Sequence, residues 1–205
     1  MPTLVPIVEG HGEVEAVQVL LRAIFVRMEL WDWQVAKPNR IGGLGKLRKE
    51  LPNLLWRLVA APPCDAILVL NDCDDGCPVE EARFLARIAR SAAIPCPVAI
   101  TLACREYEAW FLASLSTIAG NCNLPADLVY PGDVEGRRDV KGWLSDQMPQ
   151  GVIYKETEHQ VRMTSHLDIE QALARSRSFQ RLCHAVDELV QAAGTGQRGF
   201  VTPLG

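Results

Sequence analysis

The sequence predicts an α/β protein in which a mostly parallel sheet is flanked by helices and followed by a C-terminal helical extension. Three features carry that reading. Short apolar runs at 3–8 (TLVPIV), 66–70 (AILVL) and 97–102 (PVAITL) have the length of buried strands. Between them lie segments whose apolar residues recur at helical spacing. The two kinds of segment alternate as β-α-β units do, which favours parallel pairing with helices on the sheet faces. Residues 1–120 therefore read as an α/β core, and 121–205 as a loop and helical extension packed on the same domain.

Thr3 to Val8 is the first strand, closed by the turn Glu9-Gly10-His11-Gly12. Pro6 has no backbone N–H, so a bulge or an edge position is expected there. From Glu13 to Met28, the residues Val14, Val17, Leu20, Leu21, Ile24 and Phe25 form one apolar stripe, the mark of a helix packed on a sheet. Trp31 to Ala36 alternates and reads as a second strand. Leu47, Leu51, Leu54, Leu55 and Leu58 mark the next helix, with Pro52 limiting its first turns. The strand ending at Leu70 runs straight into Asn71-Asp72-Cys73-Asp74-Asp75-Gly76. Pro78 suits the first turn of a helix reaching Ser91. After the strand at 97–102, Arg105 to Ile118 reads as a helix. Then the pattern changes. Residues 120–136 are rich in Asn, Pro, Gly and Asp and read as loop, 140–148 as a short helix, Val152 to Tyr154 as a last strand, and 167–193 as helical. The tail from Gly194 is expected to fray.

Composition narrows the class. The chain has 205 residues, 48% hydrophobic and 22% charged, enough to bury a core without staples. A net charge of −4 lacks the basic balance of a dedicated nucleic-acid-binding domain. It leaves room for a basic strip beside an acidic metal site. Seven cysteines without a CxxC read as free thiols of a reducing compartment. A zinc site on Cys73 and Cys77 would lack two ligands. No signal peptide and no membrane span is read, so a cytoplasmic location without membrane contact is expected.

The informative feature is where the carboxylates fall. Glu9 follows the first strand, Asp72, Asp74 and Asp75 follow the strand ending at Leu70, and Glu106 and Glu108 follow the strand ending at Leu102. In an open parallel sheet, ligands bind in the crevice beyond the carboxyl ends of the strands. Carboxylates gathered there repel one another and resist desolvation, and a hard divalent cation such as Mg²⁺ relieves both. Plainer alternatives exist. Asp72 to Asp75 would serve as a solvated, helix-capping turn. Glu13 would serve the dipole of its own helix. His11 would be a turn residue.

The strand-Glu-Gly of Val8-Glu9-Gly10 followed by Asp72-Cys73-Asp74 after a later strand resembles the Toprim fold. The spacing Glu9-Gly10-x-x-Glu13 is similar to its overcoming-lysogenization-defect nuclease subgroup. The wider pattern resembles a bacterial family, domain of unknown function 4276. It runs through Val8 to Val17, Leu68 to Asp75, Arg105-Glu106-Tyr107-Glu108-Ala109-Trp110, and Tyr154 to Gln160. The resemblance implies Mg²⁺ or Mn²⁺ held by Glu9, Glu13, Asp72 and Asp74, with Glu106 and Glu108 completing a second site. It implies Glu9 as acid or base and Lys155 as the lysine neutralising charge at the scissile phosphate. It also implies a phosphodiester hydrolase acting on nucleic acid, DNA over RNA, as effector of an AAA or SMC-like ATPase in bacterial defence or DNA repair. The alternatives are a partner-binding effector silent without its ATPase and a degenerate Toprim domain. Lys37, Arg40, Lys46, Arg48 and Lys49 form a basic strip suited to phosphates, or else a solvated helix face. Gly42-Gly43-Leu44-Gly45-Lys46-Leu47 is not a P-loop, because Leu47 stands where a Mg²⁺-binding hydroxyl is needed.

Overall fold

A computed structural model describes residues 1–203. The elements run β1 (Thr3–Val8), α1 (His11–Arg27), β2 (Gln34–Val35), β3 (Asn39–Arg40), α2 (Leu44–Val59), β4 (Ala66–Asp72), α3 (Pro78–Ala92) and β5 (Val98–Ala103). They continue with α4 (Ala109–Ala113), α5 (Leu115–Ile118), α6 (Val140–Gln147), α7 (Val161–Ser165), α8 (Ile169–Arg175), α9 (Arg177–Gly194) and β6 (Val201–Thr202). The six strands form one parallel sheet ordered β2-β1-β4-β5-β6, with β3 continuing the β2 edge against β1.

Each face of the sheet is covered. On one side α1 and α9 pack with α4, α6 and α8 in a core that includes Leu20, Trp110, Phe179 and Leu182. On the other, α2 and α3 cover Ile67, Val69, Ile100 and Leu102 through Leu51, Leu55, Leu85 and Ala86. The strands alternate their side chains between these cores, as a sheet buried on both faces requires.

Pro6 is resolved by the pairing. β1 is an interior strand and holds register with β4 through Pro6 opposite Leu68. On its other side Leu4 pairs with Val35 and Ile7 with Asn39, so the missing N–H falls in the break between β2 and β3. The carbonyls of Leu4 and Val8 accept from Ala36 and Ile41 on that same side. No ladder hydrogen bond is lost.

Several boundaries differ from the sequence reading. The helix expected from Arg105 begins at Ala109 and breaks at Ser114 into α4 and α5. Helical periodicity over 167–193 resolves into α8 and α9, each capped by a side chain: Asp168 accepts from Glu170 and Gln171, and Ser176 from Phe179. Val152 to Tyr154 is not a strand. The tail expected to fray instead returns as β6, with Val201 and Thr202 buried against Val98 and Ala99. Arg90 pins it by donating to the carbonyl of Val201 at 3.1 Å. Among the described residues no helix is long and apolar enough to cross a membrane.

Candidate metal centre

The chain leaves β1 through α1 toward β2 and β3 on one flank, then returns through α2 to β4 on the other, with α1 and α2 on opposite faces. The carboxyl ends of β1 and β4 therefore flank a topological switch point, where an open sheet leaves a crevice. Glu9 leaves β1 there, Asp72 ends β4, and the turn after β5 delivers Glu108.

Hydrogen bonds hold these carboxylates in place. Glu9 Oε2 accepts from the Asn71 side chain at 3.0 Å and from the Asp72 N–H at 3.2 Å. Asn71 also donates to the Gly42 carbonyl, tying the loop before α2 to the crevice. Glu13, one helical turn along α1, accepts from the Glu9 N–H at 2.8 Å. Asp72 Oδ1 accepts from the Tyr107 N–H at 2.8 Å. Glu108 is 0% exposed. Its Oε1 accepts from the Tyr154 hydroxyl at 2.8 Å and from Gln160 at 3.2 Å, while its Oε2 is buried with no hydrogen-bond partner.

Lys141, on the first turn of α6, is the ammonium that reaches this cluster. Its Nζ lies 3.8 Å from Glu108 Oε2 and 2.6 Å from Glu156 Oε1. Glu156 and Gln160 come from a single wide π turn, Glu156–Gln160, of the kind that recurs at functional sites. That turn presses on α1 at Gly12, where an added Cβ would lie 2.8 Å from the Glu156 carbonyl carbon.

The electrostatics follow from burial. Burial pushes the Glu13 carboxyl up to about 7, with Glu9 and Glu108 adding to the rise. Burial likewise pushes Glu108 up to about 7 against the pull of Lys141. Asp72 is raised well above the usual range by burial, then by Glu13 and Glu108. Glu9 is raised by burial, and Asp74 adds to it. Burial works against the Lys141 charge, but Glu108, Glu156 and Asp72 outweigh it and hold the ammonium protonated.

The structure brings together Glu9, Glu13, Asp72 and Glu108 of the residues expected in the site. Asp74 is exposed, its backbone in the left-handed region (φ 45°) and its N–H on the Arg105 carbonyl, and it acts on Glu9 from the rim. Glu106 turns to the start of α6, accepting from the Lys141 N–H at 3.4 Å. Lys155 is exposed and paired with Glu158, and the lysine at the cluster is Lys141. Asp75 pairs with Arg105 and Arg138 and caps nothing, since the cap of α3 is Cys77. In the basic strip, Lys37, Arg40 and the exposed His11 line an open groove of about 520 Å³ beside α1. Arg48 is engaged with Glu81 and stands over the Phe84 ring, while Lys46 and Lys49 are exposed. Lys141 lies in the short helix read at 140–148 and Glu156 in the Tyr154 to Gln160 segment, but no strand or long helix there indicates that both reach the carboxylates.

The donor set suits a hard cation in its chemistry: carboxylate oxygens alone, one of them the orphaned Glu108 Oε2. It is not yet gathered. Among the described residues no three His, Cys, Asp or Glu side chains are arranged to hold a metal ion. Glu9, Glu13 and Asp72 each give an oxygen to a backbone N–H instead.

A family model described as a domain of unknown function (DUF4276) matches residues 8–187, a span that contains every residue of the cluster. No curated protein matches the chain.

Proposed function

The chain belongs to the DUF4276 family, whose description assigns no activity, so the reading rests on the crevice: we propose a Mg²⁺- or Mn²⁺-dependent phosphodiester hydrolase of Toprim type, a nuclease acting on DNA in preference to RNA. The observation that carries it is the burial of Glu13, Asp72 and Glu108 beside the half-buried Glu9 at one switch point, with Lys141 as the cation reaching them. Buried like charges destabilise a fold, and clusters whose carboxyls are pushed toward neutrality mark functional sites.

Glu13, Asp72 and Glu108 are the residues that would hold the ion. When bound, Mg²⁺ would supply Lewis-acid stabilisation of the charge on a phosphodiester and activation of water. Glu9 is the candidate acid or base, since Asn71 and the Asp72 N–H fix its carboxylate at the crevice mouth. Lys141 would oppose negative charge on the phosphate, the role the resemblance gives to a lysine. Asp74 at the rim, and Glu106 if it leaves the Lys141 N–H, would be the further carboxylates for a second ion. Lys37 and Arg40 would take backbone phosphates along the groove beside α1. Burial pushes the Tyr107 and Tyr154 hydroxyls up and both are hydrogen-bonded, so water is the expected nucleophile.

The test is cleavage of supercoiled and linear DNA by the purified chain with Mg²⁺ or Mn²⁺, against Asp72→Asn and Glu108→Gln. Activity that falls at least a hundredfold in both variants supports the reading. Equal cleavage by all three proteins attributes it to a contaminant and removes it.

The ungathered carboxylates favour a second reading, in which the chain is an effector completed by an AAA or SMC-like ATPase. Cleavage that appears only when the chain is mixed with such an ATPase supports this reading. Full activity of the chain alone excludes it.

A further inference from the structure

At the opposite pole of the sheet, two cysteines lie side by side. Cys64 leads into β4 and Cys96 into β5, and the two strands run parallel with Ile67 opposite Val98. Adjacent strands lie about 4.8 Å apart, inside the Cα separation of about 4.4–6.8 Å that a disulfide spans. Both side chains pack on the same side of the sheet, in the core under α2 and α3. Both line one cavity of about 520 Å³ with Asp65, Pro95 and Pro97. Cys96, beside Cys64, brings the Cys64 thiol below its ordinary value, while Cys64 and burial drive Cys96 up. Cys64 is partly exposed and Cys96 is buried, so one can meet a reagent and the other waits behind it.

We propose that Cys64 and Cys96 are a reversible disulfide-forming pair, closed by a two-electron oxidant of the peroxide class. The Cys64 thiolate attacks a peroxide oxygen; the O–O bond breaks and hydroxide leaves, taking a proton to become water. The Cys96 sulfur then attacks the resulting sulfenic acid. The S–S bond forms, the S–O bond breaks, and the Cys96 proton departs with the hydroxyl as a second water. Two thiols lose two electrons and hydrogen peroxide gains them. Cys73, Cys77 and Cys104 lie near one another at the other end of the sheet, but neither Cys73 nor Cys104 has its thiol brought below its ordinary value. Burial pushes Cys73 up to about 12 and Cys183 up to about 11, and it also raises Cys104 and Cys122. The pair is independent of the carboxylate reading, since it sits at the amino ends of the strands.

The experiment uses the full chain carrying Cys77→Ser, which removes the one exposed cysteine, the others being buried or half-buried. It is treated with stoichiometric hydrogen peroxide, and thiols are counted after denaturation. The expected result is a loss of two of the six remaining thiols, a mass decrease of two hydrogen atoms, a peptide map joining Cys64 to Cys96, and full recovery with dithiothreitol. Adding Cys96→Ser should leave a sulfenic acid on Cys64 that dimedone traps, and adding Cys122→Ser should change nothing. An unchanged thiol count, a bridge through Cys73 or Cys104, or oxygen addition without a bridge overturns the proposal. The peptide map of the parent decides even where a second substitution fails to fold.

Discussion

A carboxyl taken out of water resists ionisation, and burial keeps Glu13 and Glu108 protonated up to about pH 7, in Glu108 against the pull of Lys141 and Tyr154. The unfolded chain would release both protons near 4.5. Between those values the folded state binds more protons than the unfolded state, so stability falls as pH rises. The stabilisation is complete below pH 4.5 and lost once pH passes about 7. The slope is about 1.4 kcal/mol per pH unit for each proton retained only by the folded chain. Thermal melts in EDTA across that window should show a falling Tm. Glu13→Gln keeps an oxygen for the Glu9 N–H, carries no charge to bury, and should flatten the slope while raising Tm at neutral pH. Saturating Mg²⁺ should raise the neutral-pH Tm of the parent and leave Glu13→Gln less affected. A parent profile that rises with pH would contradict the burial argument. Glu9, Asp72 and Glu108 were legible in the sequence because each follows an apolar strand whose end places it. Asp74 shares the motif, yet its left-handed backbone sends it outward, a local choice that residue types do not announce.

At the scale of elements, the π turn decides the shape of the site. It carries Glu156 to Lys141 and Gln160 to Glu108, and Gly12 lets it touch α1. Gly12→Ala would drive a methyl group against the Glu156 backbone, which is not a flexible neighbour. Overpacking of this kind costs about 1–3 kcal/mol. Part of that strain should be relieved by displacing the turn, so the variant should lose Tm and also change the Glu108 titration by infrared or NMR. A variant as stable as the parent with an unchanged Glu108 would show that the turn does not rest on α1. This contact was not legible beforehand. The segment from 120 to 160 has neither apolar period nor long elements, and its position is set by what it packs on. The strands were legible where their apolar runs are long, as at β1, β4 and β5; the strand read over Trp31 to Ala36 pairs only at Gln34–Val35, and the two-residue β3 and β6 were not read at all.

Across the whole molecule the sheet has two working ends. The carboxyl ends of β1, β4 and β5 hold charge that destabilises the fold, while β6 supports β5 from the amino side. Val201 is buried, Arg90 donates to its carbonyl, and Thr202 donates to Glu188 at 2.7 Å. Removing residues 197–205 should therefore cost about 2–4 kcal/mol, from one buried valine and the hydrogen bonds it brings with it. The strand pairs with Val98 and Ala99, whereas the cluster begins beyond Asp72 and Ala103 at the far end. Perturbations that share no partner add to within about 0.5 kcal/mol. Denaturant melts of the parent, Glu13→Gln, the truncated chain and the truncated Glu13→Gln chain form a cycle that checks this. The loss from truncation and the gain from Glu13→Gln at neutral pH should sum in the double variant. A coupling above about 1 kcal/mol would mean that β5 transmits strain along its length, so that its two ends respond as one unit.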